Sequence, residues 1–597
     1  MAGDSEKSQN AGSSSFAVAV RPAANHVGSE DWLSNAEAFA PTDFLQFKPP
    51  VRCIKDPASG RFILLNLNKI QQDFYPVFQP DEAALLKLID GISLADLKEQ
   101  TRHPDLEEYL AFFRKHGYFD QPRDVRALIS EVREGANNQY RTISKIIQAD
   151  VEDKLAQWRK DDARPWSAQK AHPGSAKIEV SLLVSDLCNL QCRYCHVLEN
   201  LEPAIRNRTG RIMDLATLEA FGQGFFRYIK ARYGTGCLNV VFFGGQPALM
   251  GKVRRFLFEA AEKLALMASR EKLFINFAID DNGTQIDDEL LEFYRKYDFD
   301  ITFSFDTPAE VNSIHRPYPG LGRASGPVVE EGLRRLLDGN AKVGLRATVS
   351  SLNQDRIVEA IDYYWPWGLR CASFVPMQDV AHGKKVTGLF SPDPSVLGDE
   401  LKRAFDYVVH LYQEKGITFE LGPITSLLHS IIEGGTIQSC GMGDIYFAVD
   451  PDGEVFTCHR DLIDEYRITN VKSPDFLERM LDIPVQKTCP PALSLLEPEI
   501  FCETGPSCSC KSHVRPQCRD CEALIFCGGV CPGASRAQYG CVNHGASMLL
   551  DSDPALDDKR CQWSKDLIKD FLWRYIDADH RSPFSRYVND LFGDLIR

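Results

Sequence analysis

From Val51 the sequence VRCIKDPASGRFILLNL alternates apolar and polar positions and breaks at Asp56-Pro57-Ala58-Ser59-Gly60, which predicts two strands joined by a turn. The period then lengthens. In EAALLKLIDG, Leu85, Leu86, Leu88 and Ile89 share one helical face and Gly91 ends the run. SLADLKEQ starts at Ser93, a suitable N-cap, and DLEEYLAFFRKHGYF supplies a third amphipathic helix. Residues 137–160 predict a linking helix, and Pro165 with the AHPGS stretch breaks the chain after it. Beyond that point strands and helices alternate. KIEVSLLVSDLC, LNVVFFGGQP, LFINFAIDDNG, DITFSFD, AKVGLRATVS and GLRCASFVPM read as strands, and GKVRRFLFEAAEKLALMA as an amphipathic helix between two of them, the pattern of a parallel α/β sheet. CGMGDIYFAVDPDGEVFTC predicts a hairpin turned at Asp450-Pro451-Asp452-Gly453. Residues 1–35, rich in Ser, Ala, Gly and Asn, show no period and are expected to be a disordered tail.

At 597 residues the chain is long enough for about three or four domains. Hydrophobic residues make up 44% and charged residues 25%, which is the composition of a globular protein in water. The net charge of −15 argues against nucleic acid as the main partner, because phosphate binding wants basic surface. No segment has the apolar length to span a bilayer, and the first residues lack a signal-peptide core, so a cytoplasmic protein without a membrane partner is expected. In such a reducing compartment eighteen cysteines point to metal sites, not disulfides.

The densest chemistry is Cys188-Asn-Leu-Gln-Cys192-Arg-Tyr-Cys195, directly after a strand. Three thiolates spaced CxxxCxxC can hold three irons of a four-iron cluster and leave the fourth open for another ligand. Zinc or structural thiols are the alternative, but zinc sites usually pair CxxC units to close four ligands. The octapeptide resembles the signature of the radical S-adenosylmethionine (SAM) enzymes, with Tyr194 offering a flat face beside the cluster. That resemblance implies a [4Fe-4S] cluster at the SAM site and reductive cleavage of SAM to a 5'-deoxyadenosyl radical. Gly244-Gly245-Gln246-Pro247 resembles the GGEP motif that contacts the SAM ammonium group, with glutamine in place of glutamate, so a charge-assisted bond becomes a neutral one. Asp281-Asn282-Gly283 stands where the family often has TNG, which makes Asn282 a SAM contact. Ser304-Phe305-Asp306 resembles the family's SxD segment near the ribose, with Ser304 as the preferred contact and Asp306 as a contact or a helix cap. Arg316 matches a recurrent family arginine, although a salt bridge is the commoner role.

A second cysteine series runs through Cys440, Cys458, Cys518, Cys521, Cys527, Cys531 and Cys561 and resembles the SPASM domain, which holds two auxiliary iron-sulfur clusters. The resemblance implies Cys440, Cys458 and Cys531 for the first cluster and Cys518, Cys521, Cys527 and Cys561 for the second. Tyr446 stands where related maturases carry a further cysteine, so the first cluster lacks its usual fourth ligand. Either that iron is open, or Cys489, Cys502, Cys508 or Cys510 from an insertion fills it; these four are also candidates for a further metal. Cys541 has no assigned role, and Cys53, Cys237 and Cys371 are expected to be ordinary buried thiols. His459 and Asp461 follow Cys458, where sulfatase maturases place an aspartate that accepts a proton; neutral imidazole is a base suited to pH 7, or a hydrogen-bond partner of the cluster.

The expected architecture is α/β: a disordered tail (1–35), a winged-helix-like domain resembling the PqqD-like leader-recognition element (36–130), a helical linker (131–174), a partial (β/α)6 radical SAM barrel (175–400) and a cysteine-rich SPASM domain (401–597). The resemblance implies an oxidoreductase that modifies a ribosomally made peptide or protein bearing a leader, with flavodoxin or ferredoxin as electron donor. A thioether or carbon-carbon crosslink is the expected product. Oxidation to formylglycine is the enzymatic alternative, and a non-catalytic electron carrier or redox sensor is the alternative of another class.

Overall fold

The computed structural model describes residues 19–22, 44–45, 51–67, 74–80, 82–89, 92–101, 106–120, 125–160, 165–171, 175–195, 210–320, 323–377, 380–381, 384–385, 391–435, 440–460, 462, 467–484, 521–527, 531 and 557–592. They fall into two compact units, the first made chiefly of residues 1–124 and the second of Val125–Ser430 and Thr436–Asp594.

In the first unit β1 (Ala19–Pro22), β3 (Val51–Lys55), β4 (Phe62–Asn66) and β5 (Phe74–Phe78) form an antiparallel sheet of order β1-β5-β4-β3. The hairpin between β3 and β4 turns where the sequence predicts it, with Asp56 accepting from the Ala58 and Ser59 N–H groups. A two-residue ladder joins β2 (Phe44–Leu45) and β6 (Ile92–Ser93). Ser93 caps the next helix by accepting from the Asp96 N–H at 3.1 Å. The helices bury their apolar stripes on β4 and β5, where Phe78 stacks on Phe62 and Phe113. Two differences from expectation stand out. Residues 19–22, inside the stretch expected to be a disordered tail, pair with β5, and FYPVF, interrupted by Pro76, is a strand. Cys53, expected to be buried, is exposed, because alternation along β3 turns Ile54 inward and Cys53 out.

The second unit is organised on a ten-stranded sheet. Its strands are β7 (Lys177–Ser185), β8 (Cys237–Gly244), β9 (Phe274–Asp281), β10 (Asp300–Ser304), β11 (Lys342–Val349), β12 (Cys371–Pro376), β15 (Glu420–Gly422), β16 (Tyr446–Val449), β17 (Glu454–Phe456) and β18 (Arg467–Asn470). A separate two-residue hairpin pairs β13 (Val380–Ala381) with β14 (Lys384–Lys385). Across the large sheet the order is β15-β12-β11-β10-β9-β8-β7-β16-β17-β18, and every pair from β15 to β16 is parallel. From β7 to β12 spatial order follows chain order, with helices such as Leu215–Tyr233, Lys252–Glu271 and Gly326–Asp338 in the crossovers. Burial alternates over the middle of β8, β9 and β10: Val240, Phe242, Phe277, Ile279, Ile301 and Phe303 are buried, while Val241, Ala278 and Thr302 between them are partly exposed.

The helix Val125–Trp158 begins well before the expected residue 137, since VRALISEVREGA holds no proline and the one glycine, Gly135, costs only about 1 kcal/mol. The expected boundary at 400/401 lies inside the helix Pro394–Lys415, which packs on Asp557–Asp577 through Phe405 and Phe571. The hairpin of β16 and β17 extends the same sheet through β7, so strand pairing joins the region after 401 to the one before it.

Candidate functional site

Strand β7 ends at Ser185 and delivers the chain into the loop of Cys188, Cys192 and Cys195, all half-buried. Two backbone bonds fix its start: the Gly245 N–H donates to the Ser185 carbonyl at 2.8 Å and the Gln246 N–H to the Leu187 carbonyl at 2.7 Å. The glycines are required there. Gly244 has φ +128°, and a Cβ on Gly245 would stand 2.1 Å from the Leu187 oxygen. The far side of the loop is held by the residues after β10, with Gln191 N–H donating to the Pro317 carbonyl and Arg193 N–H to the His315 carbonyl.

Among the described residues no three or more His, Cys, Asp or Glu side chains converge on a single metal ion. A four-iron cluster takes one thiolate per iron, so its ligands stand apart around it and do not converge on one atom. Three thiols on one anchored loop, close enough to influence each other's ionisation, suit that demand. Burial pushes the Cys188 and Cys192 thiols above the ordinary thiol range, and Arg316 opposes the shift.

Beneath the loop lies Asp306, fully buried. Its Oδ2 accepts from the Tyr194 hydroxyl, from Arg316 Nε at 3.1 Å and from His315 Nδ1 at 3.0 Å; its Oδ1 accepts from Arg316 Nη2 at 3.0 Å and the Thr348 N–H at 2.7 Å. A carboxylate offers about four lone-pair sites, so these donors use it up. Asp306, expected as a ribose contact or helix cap, is a buried anion that holds Tyr194 and Arg316. Burial alone would raise its carboxyl, but Arg316 and His315 hold it well below the carboxylate range. Arg316 stacks its guanidinium 5.3 Å from the Tyr194 ring, and His315 passes the contact on to the Ser350 hydroxyl at 2.9 Å.

Gln246 is buried, donating from Nε2 to Asp281 Oδ1 at 2.9 Å and accepting at Oε1 from the Asn282 N–H at 3.1 Å. Asp281 also accepts from the Gly283 N–H and the Tyr294 hydroxyl. Asn282 reaches the cysteine loop, with its Nδ2 2.9 Å from Asn189 Oδ1 and 3.9 Å from Cys188 Sγ. Pro247 is buried behind this turn, and Ser304 sits on the half-exposed sheet face in register with Arg346.

In the second cysteine region Cys440, Met442, Tyr446 and Cys458 pack together. The Tyr446 hydroxyl bonds the Ser181 hydroxyl at 2.7 Å and His459 Nδ1, and the His459 ring lies 5.0 Å from Phe243. Burial and the neighbouring Cys458 push the Tyr446 phenol well above its ordinary range. Burial, with Cys561 close by, pushes the Cys521 thiol up, while Cys527 and Cys531 are half-buried. Asp461, Cys489, Cys502, Cys508, Cys510, Cys518 and Cys541 lie outside the described residues. Arg211 ties the two regions together, reaching Asp186 at 2.7 Å before the first loop and Asp450 at 2.9 Å in the turn between β16 and β17.

Sequence reasoning missed the polar face of the sheet. Asp280 on β9, Thr302 on β10 and Arg346 on β11 alternate with the buried residues already named. Burial pushes the Asp280 carboxyl up, and Arg346 partly offsets it. Period-two alternation in these strands was the available signal. Cys371, expected to be buried, is half-buried on this same face, where burial pushes its thiol up to about 12.

Residues 182–363 match the Radical SAM superfamily. The cysteine-type anaerobic sulfatase-maturating enzyme of Clostridium perfringens is 24% identical over 303 residues, covering 49% of this chain and 78% of that protein. The radical SAM cyclopropyl synthase TigE of Paramaledivibacter caminithermalis is 22% identical over 377 residues, covering 60% and 69%. Among solved structures, native anSMEcpe with bound AdoMet aligns with TM-score 0.51 at 19% identity, over 67% of this chain and 97% of that one, and thus shares the fold. The matched residues 182–363 contain both the cysteine loop and the Gly244–Pro247 turn, so it is this part of the chain that is similar to the radical SAM superfamily.

Proposed function

We propose that this protein is a radical SAM enzyme that modifies a peptide or protein after its synthesis, forming an intramolecular thioether or carbon-carbon crosslink. The observation that carries the reading is the three-cysteine loop clamped between the Gly244–Pro247 turn and the Asp306 cluster. Support for the substrate class comes from relatives named as sulfatase-maturating enzymes and from the same fold seen with bound AdoMet and Cp18Cys peptide. Cys188, Cys192 and Cys195 would hold the cluster, which with SAM supplies a 5'-deoxyadenosyl radical. Gly244, Gly245, Gln246, Pro247, Asn282 and Ser304 would line the SAM site, with Tyr194 braced from below by Asp306 and Arg316.

In this reading residues 175–400 are the partial barrel wall and the region after 401 is a SPASM domain. Cys440, Cys458 and Cys531 would hold one auxiliary cluster, and Cys518, Cys521, Cys527 and Cys561 the other. The Tyr446 hydroxyl is engaged by Ser181 and His459, which keeps it from replacing the missing cysteine as a ligand. In this reading His459 would take a proton from the substrate, with its ring held by the Tyr446 hydroxyl. A flavodoxin or ferredoxin would supply the electron.

Formylglycine formation is the second reading, favoured by the sulfatase-maturase relatives. The residue after Cys458 is histidine where those enzymes carry aspartate, and this favours the crosslink. The test is to incubate reconstituted protein with SAM and dithionite and to measure 5'-deoxyadenosine against a Cys192→Ala variant. Equal, background levels from both would overturn the radical enzyme reading and leave an electron carrier or redox sensor. Mass spectrometry of a co-expressed peptide encoded beside the gene then separates a crosslink, which loses two hydrogens and keeps the bridged residues joined in fragment spectra, from formylglycine, whose aldehyde is captured by a hydrazide probe.

A further inference from the structure

Strand β5 is built as the edge of its sheet. One side pairs with β4, at Phe62↔Phe78 and Ile63↔Val77, and Tyr75, Val77 and Phe78 are anchored in the core. Pro76 lies in its middle, and a residue without an N–H is tolerated in a strand where the ladder is incomplete, at an edge. The outer side is nevertheless covered. Ala19–Pro22 pairs antiparallel along Phe74–Val77, in the register Ala19↔Val77, Val20↔Pro76, Arg21↔Tyr75 and Pro22↔Phe74. The covering strand is four residues long, is separated from β5 by residues 23–73 and contains a proline of its own, so two of the eight facing residues have no N–H to donate. So short and depleted a ladder is easily exchanged, whereas β5 is fixed by its buried side chains.

We propose that residues 19–22 are an internal competitor, occupying the outer edge of β5 in the resting chain so that an extended peptide must displace them before it can pair there. Main-chain bonds supply the affinity at such an edge, so the occupant is defined by its extended backbone more than by any one side chain. As the docking place of the peptide substrate, the site rests on the function proposed above; the competition between strands does not.

The test uses a fluorescently labelled synthetic peptide of residues 15–26, SFAVAVRPAANH, and anisotropy titrations against the full chain. Successive N–H groups of a strand point to opposite sides, so Ala19→Pro with Val20→Pro removes whichever of the two faces β5. The doubly substituted full chain should bind the peptide at least tenfold more tightly than the wild type, and a chain lacking residues 1–30 should match it. A peptide N-methylated at Ala19 and Val20 should bind neither. Equal binding to wild type and both variants, or no binding to either variant, would overturn the proposal. Formation of 5'-deoxyadenosine is measured in the same preparations, so failure of the strand exchange is distinguishable from failure of the enzymatic reading.

Discussion

The Gln246 side chain donates its amide hydrogen to Asp281 across 2.9 Å, inside the turn that steadies the cysteine loop. The family motifs put glutamate at the first position and threonine at the second, so this chain carries the negative charge on the neighbouring strand. Gln246→Glu would set two carboxylates against each other out of water and should destabilise the protein by roughly 1–3 kcal/mol. Adding Asp281→Asn should recover most of that loss, as read from urea unfolding of the single and double variants. Additive losses would show that the two side chains are not coupled.

Arg316 neutralises Asp306 in a fully buried setting. Removing one partner of such a pair leaves an unpaired internal charge, so Arg316→Met should cost roughly 3–5 kcal/mol. The iron content of the reconstituted variant should fall as well, since Tyr194 loses the guanidinium stacked on its ring.

Acid sensitivity arises from the same carboxylate. Its folded pKa is depressed, so its contribution is complete above the unfolded value of about 4 and is lost as pH falls through the lower folded value. An Asp306→Asn variant should be less stable at neutral pH, and its stability deficit should shrink steadily below about pH 4. Urea midpoints measured across pH check the sign; a deficit independent of pH would remove Asp306 from the account.

Gly245→Ala puts a methyl group against the Leu187 carbonyl, a backbone atom that cannot swing aside. A cost of roughly 1–3 kcal/mol is expected from the forced backbone shift, with iron loading impaired more than the fold. Ultraviolet-visible spectra at matched protein concentration, beside far-UV circular dichroism, separate the two effects.

The strands that lead to the site are legible in the sequence because period-two alternation and terminal glycines mark them directly, from KIEVSLLVS to GLRCASFVP. The strand FYPVF is not, because Pro76 speaks against a strand until its edge position is known. Asp306 escapes for a different reason. Its segment suggests a ligand contact, but its partners Tyr194, Arg316 and Thr348 come from three separate stretches of chain, and only folding shows that they exhaust its oxygens. The boundary expected at 400/401 rests on a change in cysteine density, which marks a change in chemistry, whereas the helix Pro394–Lys415 runs straight through it.

The parallel pairing of β16 with β7 carries a mechanical meaning. The strand that launches the Cys188 loop and the strand framed by Cys440 and Cys458 are neighbours in one ladder, and Arg211 bolts their adjoining loops together. Under the proposed function, the spacing of clusters at these two places would be set like teeth on a comb, by hydrogen-bond register. Any change in that spacing would then come in whole-residue slips of the sheet, and electron exchange between the clusters would be governed by the fold itself and not by the swing of a domain.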